Sequence, residues 1–179
     1  MDRKTFITSL AAFGICGCAG AVAFAQGDEK ESLQVRELKR RVSFMQKRMA
    51  LLIAALDEPT RQRVLETMGR ECAKEFGALL ERFKGKPEEF LEEGRKQWME
   101  HASYDKTSGT IAVVDRSKSC TCAFVEPGVT PPDFCACTLG WQKEAYSTIL
   151  GEPVDAELES SILRGACQCA FRVKVRSQS

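Results

Sequence analysis

From Gln34 onward the apolar positions fall three and four apart: Val35, Leu38, Val42, Met45, Met49, Leu52 and Leu56. Such a stripe predicts a helix over residues 30–56. It serves either as the core-facing side of a helix in a bundle or as the seam of a coiled-coil homodimer. Asp57-Glu58-Pro59 interrupts the pattern. Proline is tolerated in a first turn, so a second helix is expected over residues 59–83. There Val64, Met68, Cys72 and Phe76 share one face, with Leu65 and Leu79 beside them. Lys84-Gly85-Lys86-Pro87 breaks the chain again, and a third helix is expected over residues 87–101, with Phe90, Leu91, Gly94, Trp98 and Met99. His101, the one histidine, would end it, where the helix dipole favours a protonated imidazole as a cap.

After Ser108-Gly109 the period changes to two. Residues 111–114 read as a short strand, and Cys120, Cys122 and Phe124 as one face of a second. Pro127-Gly128 and Pro131-Pro132 mark a loop. Asp133 is a candidate N-cap for a helix over residues 134–150, which Gly151 and Pro153 would end. Val154, Ala156, Leu158, Ser160 and Ile162 alternate with Asp155, Glu157, Glu159 and Ser161. Beyond Arg164-Gly165, Cys167, Cys169, Phe171, Val173 and Val175 alternate with Gln168, Ala170, Arg172 and Lys174. This is a hairpin whose outer face pairs Arg172 and Lys174 with the acidic strand. Three helices followed by β-β-α-β-β predict an α+β fold, with helices on one face of a small antiparallel sheet. The expected layout is an export signal (1–25), a helical segment (26–105) and a cysteine-rich segment (106–179) packed with the helices as one domain.

The export signal rests on the N-terminus. Arg3 and Lys4 precede an uncharged stretch, residues 7–25, that closes with Ala23-Phe24-Ala25 before Gln26. That is a charged n-region, an apolar h-region and an A-x-A cleavage site. The run DRKTFI resembles a twin-arginine signal with Lys4 in place of an arginine. Lipidation at Cys18, or retention of the segment as an anchor, are the alternatives. The mature protein is then periplasmic or otherwise extracytoplasmic, and touches a membrane only through this segment if it is uncleaved. At 179 residues and 44% hydrophobic, the chain can bury a core without crosslinks. Its 26 basic and 25 acidic residues leave a formal charge of +1, which excludes nucleic acid as a partner on charge balance.

Six of the nine cysteines form three C-x-C pairs: Cys120/Cys122, Cys135/Cys137 and Cys167/Cys169. On a strand, such a pair aims both sulfurs to one side. Cys135 and Cys137 would lie in a first helical turn, where free N–H groups and the dipole favour thiolate. Converging thiolates bind soft metals, and zinc takes four of them at about 2.3 Å. Cys122, Cys135, Cys137 and Cys169 are the expected set, with Cys120 and Cys167 as alternates. Disulfides in an oxidising compartment are the competing state. Cleavage after Ala25 removes Cys16 and Cys18, and the seven that remain cannot all pair within one chain. Cys72 reads as a small buried hydrophobe or as a pocket thiol.

Residues 134–173 resemble the C-terminal half of 4-vinyl-reductase-type small-molecule-binding domains and the amino-thiazoline carboxylate hydrolase-like proteins. The matching features are Gly151-Glu152-Pro153-Val154 after the helix, the acidic strand with Glu157 and Glu159, Gly165, and Cys169-Ala170-Phe171-Arg172-Val173. In phenol-sensing members a zinc is held by a cysteine before the helix, a glutamate and a cysteine of the hairpin, and a final cysteine. The resemblance implies Cys135 or Cys137 for the first, a position near Glu159 for the glutamate and Cys169 for the last. Ser161 or Ile162 stands where the remaining cysteine would be. Strand parity puts Glu159 on the face opposite Cys169, so it reaches such a site only through a bulge. The chain as a whole resembles a family of exported bacterial cysteine-rich proteins.

Two classes of function follow. One is a non-catalytic small-molecule-binding or sensing domain stapled by a cysteine-bound metal, with Trp141, Tyr146, Cys72 and Trp98 as candidate pocket residues or core. The other is an enzyme, a hydrolase or thiol-redox protein using a cysteine. One histidine assembles no Ser-His-Asp set, and no phosphate-cradling glycine loop is present. Metal carriage by exposed C-x-C pairs and a disulfide-stapled structural protein complete the alternatives.

Overall fold

The computed structural model describes residues 32–176. Helix α1 is Leu33–Ala54, N-capped by Ser32, and α2 is Glu58–Lys74, N-capped by Asp57 with Pro59 in its first turn. A short α3, Gly77–Glu81, precedes α4, Pro87–Gln97. Strands β1, Met99–Asp105, and β2, Thr110–Asp115, form a hairpin. A 3₁₀ turn, Pro132–Phe134, leads into α5, Cys135–Leu150, which Gly151 closes in the left-handed conformation at φ 73°. Strands β3, Val154–Ser160, and β4, Ala170–Val175, complete an antiparallel sheet of order β1-β2-β4-β3. The fold is α+β, and its C-terminal part runs β-β-α-β-β, but the first two strands are residues 99–105 and 110–115 and not the expected 111–114 and 120–124.

The layers run sheet, α5, α2. The inner sheet face supplies Met99, Ala102, Ile111, Val113, Val154, Ala156, Phe171 and Val173. Helix α5 is buried on both sides, and carries Cys135, Ala136, Gly140, Trp141, Ala145, Tyr146 and Ile149 inward. A helix with two partners has no solvent face to pattern, which is why its apolar residues run nearly all round. Helix α2 crosses it at glycine contacts. A Cβ on Gly69 would lie 1.7 Å from the Cys137 carbonyl oxygen, and one on Gly140 2.0 Å from that of Glu66. The main core centres on Phe90, which meets Trp98 and Tyr146 edge-to-face at 5.9 and 5.8 Å. A second core joins Ile53, Leu65, Phe134, Ala136 and Cys137, with Met49, Leu56, Met68 and Phe124 against it.

Several expectations are corrected by tertiary pairing. The third helix stops at Gln97, and residues 99–105 form β1, because their backbone pairs with β2 from Met99↔Asp115 to Asp105↔Thr110. His101 therefore faces Val114 across a ladder and caps no helix. The second helix breaks at residues 75–76 into α2 and α3. Its buried face is Leu65, Gly69 and Ala73, and Val64 is 37% exposed. Asp133 is not the N-cap of α5: it lies in the preceding turn, held by the Arg61 guanidinium. No strand carries Cys120 and Cys122. Strand β2 has β1 on one side and β4 on the other, so the chain after Asp115 leaves the sheet as an irregular loop. The hairpin of β3 and β4 is longer-looped than expected: β3 ends at Ser160, and a 3₁₀ turn, Ile162–Arg164, intervenes. Helix α1 was expected to face a core, yet no residue of 33–49 is buried; Ala50 and Ile53 are. The proposed signal, cleavage site and Cys16 and Cys18 lie outside the described residues.

Candidate functional site

Four cysteines from three separate parts of the chain line one cavity. Cys120 and Cys122 come from the loop after β2, Cys135 from the start of α5, and Cys169 from the residue before β4. Asp115, Thr138, Phe134, Leu158, Ile162, Leu163 and Phe171 are among the residues that complete the wall. The cavity volume is about 30 Å³. That is room for about two waters or one ion.

Each wall is held by specific bonds. The Asp115 backbone N–H donates to the Cys169 carbonyl at 2.9 Å, which extends the β2–β4 ladder to the cavity's edge. The Gln168 side-chain amide donates to the Asp115 carbonyl at 2.8 Å. The Cys135 Sγ–H donates to Ser161 Oγ at 3.4 Å, and Ser161 is fully buried. Ser161 Oγ also accepts from the Arg164 N–H at 3.2 Å, so the 3₁₀ turn is tied to the cysteine. On the far side, α1 holds the loop: Gln46 Nε2 donates to the Ala123 carbonyl at 2.6 Å, and Lys47 meets Glu126 at 3.8 Å.

Burial governs the thiols. Desolvation pushes Cys137 up to about 12 and Cys169 up to about 11. It also raises Cys120 and Cys135. The expected thiolate stabilisation at the start of α5 is thus outweighed, because Cys135 and Cys137 are 9% and 4% exposed and the charged form loses its water. Backbone N–H groups of Cys122 and Ile162 act the other way on Cys120 and Cys169.

Of the expected ligand set, Cys122, Cys135 and Cys169 share the cavity with the alternate Cys120. Cys137 packs into the second core instead, and Cys167 is exposed in the β3–β4 connection. None of the seven described cysteines is in a disulfide. Among the described residues, no three Cys, His, Asp or Glu side chains stand at the mutual spacing of a metal-bound set. Trp98, Trp141 and Tyr146 belong to the main core, with Cys72 packed against it, and none lines this cavity. A bulge does interrupt the β3–β4 register between Leu158 and Ser160, yet Glu159 still turns outward, to Arg172. The acid at the cavity is Asp115, 6% exposed, which the strand's own alternation with Ile111 and Val113 could have revealed. Arg172 pairs with Glu159, and Asp155 is held by Arg176 at 2.6 Å where Lys174 is its neighbour in register.

No family model matches the chain, and no curated protein matches it. The phenol-responsive sensory domain of the transcription activator PoxR, solved with phenol, matches with a TM-score of 0.50 and 9% identity, over 77% of this chain and 76% of that one. A trafficking protein particle complex subunit 3 from Naegleria fowleri, covalently bound to palmitic acid, aligns at a TM-score of 0.49 and 15% identity, over 78% and 97%. The chain therefore shares the fold of the PoxR sensory domain. Among the described residues no helix is long and apolar enough to cross a membrane.

Proposed function

We propose that the protein is a small-molecule-binding or sensing domain whose cysteine-lined cavity takes a soft metal ion, zinc by the chemistry of the donors. The observation that carries this reading is that Cys120, Cys122, Cys135 and Cys169, from three separate parts of the chain, all line one cavity; holding an ion would require their sulfurs to draw together, since no three of them stand at ligand spacing. Those four would hold the metal. Four sulfurs leave no open position, so the ion would be a structural staple joining the loop after β2, the start of α5 and the start of β4. Buried thiols that stay protonated have no mutual attraction; a cation that displaces their protons supplies one. The raised thiols of Cys120, Cys135, Cys137 and Cys169 make these four poor nucleophiles at neutral pH, since the thiolate is the attacking form.

The sensing half rests on the shared fold and on two orphaned groups. The Tyr146 hydroxyl and the Trp141 Nε1–H are buried with no hydrogen-bond partner among the described residues. A small hydroxyl-bearing aromatic or a water would satisfy them. The same reading has the protein exported, with its mature start near Gln26 after the A-x-A site.

Native mass spectrometry with metal analysis, on protein purified without chelator, tests the site. One zinc per chain is expected, lost in Cys135→Ser and Cys169→Ser. A metal-free mass, or the loss of hydrogens that marks disulfides, would overturn it. Phenol titration followed by tryptophan emission tests the sensing half, because Trp141 and Trp98 belong to the same core as Tyr146; an unchanged spectrum and melting point remove it. N-terminal sequencing of the exported chain tests the start, and a lipid-modified Cys18 or an intact Met1 would refute it.

A further inference from the structure

Helix α1 carries an excess of positive charge and an apolar surface turned to solvent, although Arg40 and Arg41 pair with Glu37 and Lys47 meets Glu126. Leu33, Val35, Leu38, Val42, Phe44, Met45, Leu51 and Leu52 are between 44% and 79% exposed. Val35, Leu38, Val42, Met45 and Leu52 fall within an arc of about 100° on the helix, and Leu33, Phe44 and Leu51 lie on the other side. The margins of that arc are basic, Arg41 and Arg48 on one side and Lys39 on the other. Arg36, Arg40 and Lys47 add to them, and Glu37 is the helix's one acid. The helix therefore bears +5 in a chain whose whole formal charge is +1, and all other residues together carry −4.

We propose that α1 docks on a lipid surface containing anionic lipids, with the Val35–Leu38–Val42–Met45 stripe in the acyl boundary and Lys39, Arg41 and Arg48 at the headgroups. An apolar stripe with basic margins is what an interfacial helix presents. A second copy of α1 is the poorer occupant. Seams of paired helices are matched by opposite charges at their margins, and here every charged margin position is basic, so two copies repel. Nucleic acid would satisfy the charge and leave the apolar stripe in water. The uncharged segment 7–25 ends eight residues before Leu33, a reach of at most about 28 Å, so a chain passing through or held in a bilayer delivers α1 to its surface. The C-terminal half of the same helix holds the cysteine loop through Gln46 and Lys47, so docking bears directly on the wall of the cavity.

The test places a reporter in the stripe of the full chain. In Leu38→Trp the new indole is exposed, while Trp98 and Trp141, each 8% exposed in the core, give a constant background. Vesicles of phosphatidylcholine with 30% phosphatidylglycerol should shift the emission to the blue, and bromine-labelled acyl chains should quench it. Vesicles of phosphatidylcholine alone should do neither. Adding Arg41→Glu and Arg48→Glu should weaken binding at least about 25-fold, since each basic residue near such a surface contributes about fivefold. Sedimentation velocity without lipid should give a monomer. Absence of quenching on the anionic vesicles, equal quenching on the neutral ones, or a lipid-free dimer with the indole already blue-shifted would each overturn the proposal, the last in favour of a second copy.

Discussion

Replacing Gly140 with alanine should destabilise the protein, although alanine is the better helix former. A Cβ at Gly140 would stand 2.0 Å from the Glu66 carbonyl oxygen and 2.7 Å from the Glu66 carbonyl carbon. Both atoms are backbone of α2, so no side-chain rotation relieves the clash. The two helices must separate by about 1.5 Å before the contact becomes an ordinary one, and a gap of that size forfeits much of the dispersion attraction across the interface. Overpacking of this kind costs about 1–3 kcal/mol, more where the obstacle is rigid. Propensity returns about 1 kcal/mol. Against rigid backbone the cost falls at the upper end of that range, and the net loss is then roughly 2 kcal/mol, a large fraction of a typical domain's 5–15 kcal/mol. Gly77→Ala separates the two effects, because a Cβ there meets nothing within 4 Å. It should leave stability unchanged or raise it slightly. Urea unfolding followed by tryptophan emission reads both variants, Trp141 being the next residue along from Gly140. If Gly140→Ala is as stable as the parent, or more so, α2 and α5 do not meet at the described distance and the layering is wrong. Gly69→Ala should behave like Gly140→Ala and also weaken metal uptake, since its Cβ would press on the Cys137 carbonyl two residues from Cys135.

The remaining outcomes are simpler. Cys72→Ser should leave metal content unchanged, because Cys72 packs against the main core and not on the cavity; a loss of metal comparable to that of Cys169→Ser would move the site. Arg172→Ala should change stability by no more than about 1 kcal/mol, its pair with Glu159 being exposed on the outer sheet face; chemical denaturation checks this, and a larger effect would mean the pair does more than cover the strand. Burial pushes the Glu66 carboxyl up, but the Lys143 ammonium at 2.8 Å and the Gln62 amide hold it below its ordinary 4.5. Its pair therefore contributes stability that is present above about pH 4.5 and lost as the pH falls through the lowered value. In Glu66→Gln the acid limb of a stability–pH curve should flatten; an unchanged limb removes Glu66 from it. Tyr146→Phe should be neutral or mildly stabilising if its hydroxyl is truly orphaned, and should cost about 1 kcal/mol or more if a water or ligand satisfies it; thermal melts with and without phenol distinguish the two.

Local chemistry written along the chain determined most helix starts and stops and the last two strands. Heptad spacing marked α1, Asp57 and Pro59 marked the start of α2, Pro87 that of α4, and Gly151 ended α5 in the left-handed region that glycine adopts without strain. Strict alternation marked β3 and β4 and placed Arg172 on the outer face with the acids. These signals need only a residue and its near neighbours. Partners distant in sequence decided the rest. Residues 99–105 continue a helical apolar pattern, yet pairing with β2 made them a strand. Cys120 and Cys122 have strand parity, yet β2 was already flanked on both sides and left them a loop. The stripe on α1 reads as a core face, but α2 and the sheet had enclosed α5 without it, so most of it stayed in solvent. The candidate site shows the same division. Three C-x-C pairs made a shared cysteine site the expectation; which cysteines line the cavity was not legible, because spacing along a chain does not say which side chains a fold turns toward one another. Asp115 and Ser161 entered the site through the β2–β4 register and the turn after β3, two features that exist only once the sheet has formed.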